Sequence, residues 1–423
     1  MNRNYIFFIV LILASLFFNP LTAQSWRIFI YMDSSDDLSD MAIKNITDMM
    51  RGHPDDSVEL LIQVHAYYHA GLRYRISKNN LHFIEEVTLS HNAYHNFIDA
   101  AGWAFKNNTS EHTMLILSSH GWGILDPVWN SKSKQWESIH NSSQHTCPIE
   151  NIAGPCTLKR SLPDRIVQEH KNHRGFMFND NTQQYITNKK LIKSLAFITN
   201  TILNGKKIDI LSFDTCMGAM VEIAYQCAPY ANFLVGNQSC SLRDGFNYDP
   251  LINFITTQPT PTQLATQMVE AFDSYYSKND VTGIYTHAAV NLTLLHHMCE
   301  KFDILLSLLL EIPDIKSIFK QARNKTPRFC LWPMYTDMVA FITLVEEQLM
   351  QSKHYKSSLQ NAFNNFYENA FGMVIAHCGG FKSRNNAHGL SIYLPFDAID
   401  GSYYKTLFAK ESQWLKVLQL FIR

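Results

Sequence analysis

Apolar residues recur along the first half of the chain in short, dense runs. Residues 26–32 (WRIFIYM), 114–117 (MLIL), 208–213 (IDILSF) and 233–235 (FLV) are such runs, and 58–65 and 81–88 read as further strands. Strands apolar on both faces suit a parallel sheet covered by helices on each side. Between the runs the period changes. Leu38, Met41, Ala42, Ile46, Met49 and Met50 fall on one face of a helix, with Ser34 and Ser35 before it as caps and Asp36 and Asp37 as an acidic first turn. Residues 93–107, 191–204 and 217–227 read as further helices. Strands alternating with helices in this order predict an α/β fold built on an open, mostly parallel sheet.

Two regions break that rhythm. Residues 126–175 have poor periodicity and are rich in Asn, Ser, His, Lys and Arg. Loops this long inside a compact domain are usually functional or mobile. Residues 261–423 are mainly helical in pattern, with helices over 263–276, 292–310, 334–350 and 356–367. The strand-like runs 371–376 and 389–394 read either as edge strands or as a small second lobe. The expected organisation is an α/β core over 24–260, interrupted by the 126–175 loop, with a helical C-terminal region packed on it. Residues 1–23 stand apart. Arg3 precedes an apolar run of 13 residues from Ile6 to Phe18, shorter than the ~20 a spanning helix needs. Asn19-Pro20 ends the run and Leu21-Thr22-Ala23 follows, so the segment reads as a signal peptide cleaved after Ala23. Leu21 departs from the small residue preferred at its place, and the other reading is an uncleaved anchor. Either way the chain is expected outside the cytoplasm: secreted, periplasmic or on the cell surface. No other stretch is long and apolar enough to span a membrane as a helix.

Composition narrows the function. At 423 residues and 46% hydrophobic, the chain has ample material for a core. Lys plus Arg number 36 and Asp plus Glu 37, a net charge of −1, which leaves no electrostatic footprint for nucleic acid or an anionic membrane. The eight cysteines (147, 156, 216, 227, 240, 299, 330 and 378) include no CxxC and no paired ligand spacing, so no zinc site is expected. Cys147 and Cys156, in the polar loop, are the best candidates for a disulfide in an exported chain. Cys227, Cys299 and Cys378 sit in apolar sequence and read as buried small hydrophobes.

Ligands of α/β sheets gather at the carboxyl ends of the strands, and two such ends carry unusual residues. One is Leu117-Ser118-Ser119-His120-Gly121-Trp122-Gly123, the other Leu211-Ser212-Phe213-Asp214-Thr215-Cys216-Met217-Gly218. A His and a Cys at two strand ends are the parts of a base–nucleophile pair. If the helix over 217–227 starts directly after Cys216, its dipole favours the thiolate. The N–H groups of Gly121 and Cys216 are candidate donors to an oxyanion. Taken alone these are common parts: a strand-end His or a buried Cys is more often structural than catalytic.

Those two elements, with Ile28 to Asp33 and Asp36-Asp37-Leu38 before them and Gly389 to Pro395 after them, resemble the clostripain family of cysteine peptidases, relatives of the caspases and gingipains. The resemblance runs from Trp26 to about Leu394. It implies a caspase-like core, His120 as base, Cys216 as nucleophile, and cleavage of protein or peptide substrates after Arg or Lys by a monomer. A cationic P1 side chain needs an acidic pocket. Strand alternation turns Asp214 to the side of Cys216, and the resemblance makes Asp244 a second pocket carboxylate. The other readings are a helix cap for Asp214 and a turn residue before Gly245 for Asp244, and Arg243 beside it would partly neutralise a pocket. Asp33, Asp36, Asp37 and Asp40 resemble a metal cluster but read better as capping residues. No cofactor is expected, although some members of the family use calcium. Family members are activated by a cut in the segment equivalent to 126–175, which makes Lys132 and Lys134 the preferred processing sites. The competing functions are a catalytically silent relative that binds peptides or a surface partner, and an α/β acyltransferase. The latter lacks a nucleophile elbow.

Overall fold

The computed structural model describes residues 25–34, 38–67, 70–126, 128–130, 135–137, 176–179, 184–242, 244–280, 282–329 and 334–422. The signal segment, Asp36, Asp37, Arg243, Lys132, Lys134, Cys147 and Cys156 therefore lie outside the described residues.

The fold is built on a sheet of nine strands: β1 (Trp26–Asp33), β2 (Val58–Tyr67), β3 (Ala70–Ser77), β4 (Asn80–Thr88), β5 (His112–Ser118), β6 (Ile208–Asp214), β7 (Ala231–Gly236), β8 (Thr286–Asn291) and β9 (Val374–Gly379). Their spatial order is β9-β8-β7-β6-β5-β1-β2-β3-β4. The five central strands, β7 to β2 in that order, pair in parallel, and an antiparallel pair extends the sheet on each side. The dense apolar runs are explained by the two layers that cover this sheet. Phe29, Tyr31, Leu115, Leu117, Leu211 and Phe213 pack into one core, with residues of the helices Ala93–Phe105, Asn188–Phe197, Val221–Cys227, Leu295–Leu310 and Ser357–Met373. Ile28, Ile30, Met114, Ile116 and Ile210 pack into the other, against Ser39–Arg51, Tyr248–Ile255 and Pro261–Asn279. Each large side chain so buried contributes about 1.5–3 kcal/mol.

The C-terminal half is mainly helical but also feeds the sheet. β8 and β9 come from it, and Ser391–Tyr393 pairs with Tyr335–Asp337 in a separate ribbon. The run expected as a strand over 371–376 divides: a helix continues to Met373 and β9 starts at Val374. Two strands have no counterpart in the apolar pattern. β3 carries Arg73 and Arg75 and pairs only with antiparallel neighbours. β8, THAAVN, is short and made of small residues, without the β-branched and aromatic content that marks a strand. Of the expected caps, Ser35 lies outside the described residues and Ser34 does not start the first helix. Its N-cap is Leu38, with no side-chain hydrogen bond. Among the described residues no helix is long and apolar enough to cross a membrane.

Candidate active site

The parallel register of the two central strands brings the two unusual strand ends together. Ser118 of β5 stands opposite Asp214 of β6, and the Ser119 N–H donates to the Asp214 carbonyl at 3.4 Å. His120 lies two residues beyond the first and Cys216 two beyond the second, so both arrive at the same level above the sheet. His120–Gly121 then forms a short strand against Phe176–Asn179, on the far side of the long loop. Gly121 makes the approach close. A Cβ at this position would lie 2.6 Å from the Thr215 side chain and overlap the Cys216 carbonyl oxygen. Any larger residue would push the His strand away from the Cys strand.

Cys216 is half-buried and carries a thiol. The segment that follows it differs from expectation. The helix begins only at Val221, after an N-cap at Met220, and Met217 adopts a left-handed φ of 55°. The N–H groups of Met217 and Ala219 donate to the carbonyls of Ser239 (3.0 Å) and Asn237 (2.9 Å) rather than to a helix. Cys216 therefore does not open a helix, and no helix dipole acts on it directly. Other groups take that part. The neighbouring Cys240 thiol, the Ser241 N–H and the charge of His120 hold the Cys216 thiol below its ordinary range, against burial and the Asp214 charge. The Ser241 N–H donates to Sγ at 3.2 Å.

Asp214 is buried at 6% exposure. Its Oδ2 accepts from the hydroxyls of Ser118 (3.2 Å) and Tyr248 (3.3 Å), and the Phe246 N–H also donates to the carboxyl. Burial pushes its pKa up to about 6, the hydrogen bonds opposing that rise. Gly245, at φ 62°, folds its loop onto this carboxylate. A Cβ there would sit 2.8 Å from Oδ2, so the residue after Asp244 is in contact with Asp214. Asp244 itself is partly exposed, and its Oδ2 accepts from the Tyr275 hydroxyl at 2.5 Å. Tyr276, beside it on the same helix, donates to the Gly245 carbonyl at 2.9 Å. Four of the expected site residues (His120, Gly121, Cys216 and Asp214) meet at the β5–β6 junction, and Asp244 lies in the loop against Asp214.

Other expectations resolve differently. Asp33 pairs with His65 at 3.4 Å inside the sheet end, and its carbonyl accepts from the Ser119 hydroxyl at 2.7 Å. Trp122, which after Gly121 reads either as a wall of the cleft or as packing, is buried and belongs to the core. Asp209, which reads as solvent-facing at its strand start, is buried and accepts from the Thr113 N–H at 2.9 Å. The residues to which the sequence reading assigns no role at the site are Ser118, Cys240, Ser241, Tyr248 and Tyr275. A signal for Cys240 and Ser241 lay in the pairing of Phe213 with Gly236, since three or four residues beyond each brings the chain to Cys216 and Cys240.

Comparison with known proteins agrees with the fold. A model of the clostripain family, peptidase C11, matches residues 165–420. A search of curated proteins finds no match. Among solved structures, a secreted C11 cysteine protease from Bacteroides thetaiotaomicron, iotapain, superposes with a TM-score of 0.65 at 16% identity, covering 92% of this chain and 100% of that one. The B. thetaiotaomicron secreted C11 protease in complex with an irreversible peptide inhibitor gives 0.64 at 15%, covering 93% and 98%. An inactive zymogen C11 protease from Parabacteroides distasonis gives 0.61 at 15%, covering 92% and 99%. At these identities the likeness is one of fold.

Proposed function

The chain belongs to the clostripain family of cysteine peptidases, and from that premise we propose that it is an exported endopeptidase that cuts after Arg or Lys. Cys216 is the nucleophile and His120 the base. The observation that carries the specificity is Asp214: a buried carboxylate two residues from the thiol, held by Ser118, Tyr248 and the Phe246 N–H, all neutral donors. Among the described residues no basic side chain hydrogen-bonds to it, and a guanidinium or ammonium entering beside it would supply a compensating charge. Asp244, anchored by Tyr275 at the mouth of the same loop, adds a second, more exposed negative charge.

The chemistry follows from the positions. The Cys216 thiolate attacks the carbonyl carbon of the scissile bond, and the carbonyl oxygen takes the negative charge. The N–H groups of Gly121 and Cys216 are the assigned donors to that oxygen. His120, protonated as the thiolate forms, gives its proton to the departing amine. Water, deprotonated by His120, then hydrolyses the thioester and restores the thiol. No cofactor enters these steps.

We read the 126–175 loop as a processing segment. It runs between the strand that delivers His120 and the strand that delivers Cys216, and it carries Lys132 and Lys134 as the preferred cuts. A structure of similar fold is described as an inactive zymogen, which supports this reading. Export rests on the apolar N-terminal segment. The test of the whole proposal is a positional peptide library assayed with wild type and Cys216→Ala, with and without added calcium, beside labelling by an arginyl ketone. Cleavage confined to Arg and Lys, with label on Cys216, is expected. Cleavage indifferent to the P1 charge would overturn the specificity, and label elsewhere would overturn the nucleophile.

A further inference from the structure

Two backbone hydrogen bonds join the chain segments that follow β6 and β7. Met217 N–H donates to Ser239 and Ala219 N–H to Asn237. The Ser241 N–H donates to the Cys216 sulfur at 3.2 Å, so Cys240 lies between two residues, Ser239 and Ser241, that hydrogen-bond to Cys216 or to its neighbour Met217. The two thiols are within hydrogen-bonding reach of one another, and neither cysteine is in a disulfide in this structure.

We propose that Cys240 is a resolving cysteine, which forms a reversible disulfide with Cys216 when the protein meets a peroxide. The inference rests on the same cysteine as the proposed function but asks about a bond rather than a turnover. Oxidation begins at Cys216, which is partly exposed and receives the Ser241 N–H on its sulfur. Its thiolate attacks one oxygen of hydrogen peroxide, the O–O bond breaks, hydroxide leaves, and the sulfur becomes a sulfenic acid. Cys240, 9% exposed, loses its proton and attacks the Cys216 sulfur. The S–S bond forms, the S–O bond breaks, and the oxygen leaves as water. Two thiols and one peroxide give one disulfide and two waters. A dithiol reverses the bond by exchange.

The other described cysteines are poor competitors. Burial pushes Cys227 up to about 12 and raises Cys299 and Cys378 as well, so few of their thiols are ionised to react. The pair thus gives a secreted thiol enzyme a recoverable state. Without Cys240 the sulfenic acid would wait for more peroxide and pass to the sulfinic and sulfonic acids, which dithiols do not reduce.

The test uses the purified chain, treated with hydrogen peroxide, alkylated, and digested with chymotrypsin without reduction. No Lys or Arg lies between Cys216 and Cys240, whereas Tyr225 and Tyr230 do, so chymotrypsin and not trypsin separates the two. A Cys216–Cys240 linked peptide is expected, and dithiothreitol should return most of Cys216 to an alkylatable form. In Cys240→Ser that return should fall at least tenfold, with Cys216 found as sulfinic or sulfonic acid. Cys216 linked to another cysteine, or overoxidised in the wild type, overturns the proposal, as does equal recovery in Cys240→Ser. If the variant does not fold, the wild-type peptide map alone decides. A linked peptide in a protein without peptidase activity would refute the proposed function and leave this inference standing.

Discussion

Replacing Asp214 by Asn should make the protein more stable and less active at once. The carboxyl is pushed from an ordinary 3.8 up to about 6 by burial. A folded-state pKa above the unfolded one means that the folded protein holds the proton more tightly, so the ionised carboxylate opposes folding. The cost is absent below about pH 4, grows as pH rises between the two values, and is complete by pH 7. At ~1.4 kcal/mol per unit, that gap costs ~3 kcal/mol at neutral pH. Asn removes it without emptying the site. Its carbonyl can still accept from the Phe246 N–H, and its amide can donate to the Ser118 and Tyr248 hydroxyls, which turn to accept. Cleavage after Arg should fall by ~2–5 kcal/mol in kcat/KM, the usual cost of leaving a buried charge unpaired. The assay is a pair of melting series from pH 4 to pH 8, beside kcat/KM on substrates with Arg and with neutral P1 residues. The difference between the two proteins is what matters, because Glu222 and Asp126, also raised, titrate in both. Equal melting at pH 4, with the Asp214→Asn protein the more stable at pH 8 and the poorer enzyme on Arg, is expected. A variant that is no more stable at pH 8 would refute the burial argument. One that keeps its Arg preference would refute the pocket.

Cys216→Ala should abolish hydrolysis, and His120→Ala should lower kcat by ~10²–10⁴-fold; a turnover near wild type in the His variant removes it from the mechanism. Gly121→Ala should cost both activity and thermal stability, because its Cβ would meet Thr215 at 2.6 Å, and a fully active variant would show that the two strand ends need not touch. Wild type expressed beside Cys216→Ala should give two fragments on electrophoresis, the second starting just after a Lys or Arg of 126–175, against one intact chain. A fully active wild type that is never clipped would exclude self-processing.

The central strands were legible because burial on both faces leaves a mark on every position, as in β1, β5 and β6. The juxtaposition at the candidate site was legible where its residues lie close in sequence to those strands, which is true of His120, Gly121, Asp214 and Cys216. The start of the helix after Cys216 was not. Met217, Ala219 and Met220 are compatible with a helix by local preference, but the Met217 and Ala219 N–H groups are taken by Ser239 and Asn237, and a tertiary bond of this kind has no local signature. The same holds for Tyr275 on Asp244 and Tyr248 on Asp214, pairings made across 31 and 34 residues. β8 was hidden for another reason: Ala288 and Ala289 fill a crowded place in the sheet interior, and small residues there look like nothing in particular.

The strand order has one more consequence. β1 to β5 occupy one contiguous side of the sheet and β6 to β9 the other, so a chain cut within 126–175 divides the sheet along a single line, between β5 and β6. Residues 25–126 and 176–423, made as two polypeptides, should therefore recombine by edge-to-edge pairing of two half-sheets, with five register pairs from Met114–Ile210 to Ser118–Asp214 as the joint. His120 would come from one partner and Cys216 from the other. Activity would then report reassembly itself, appearing only on mixing and rising with the concentration of the limiting half.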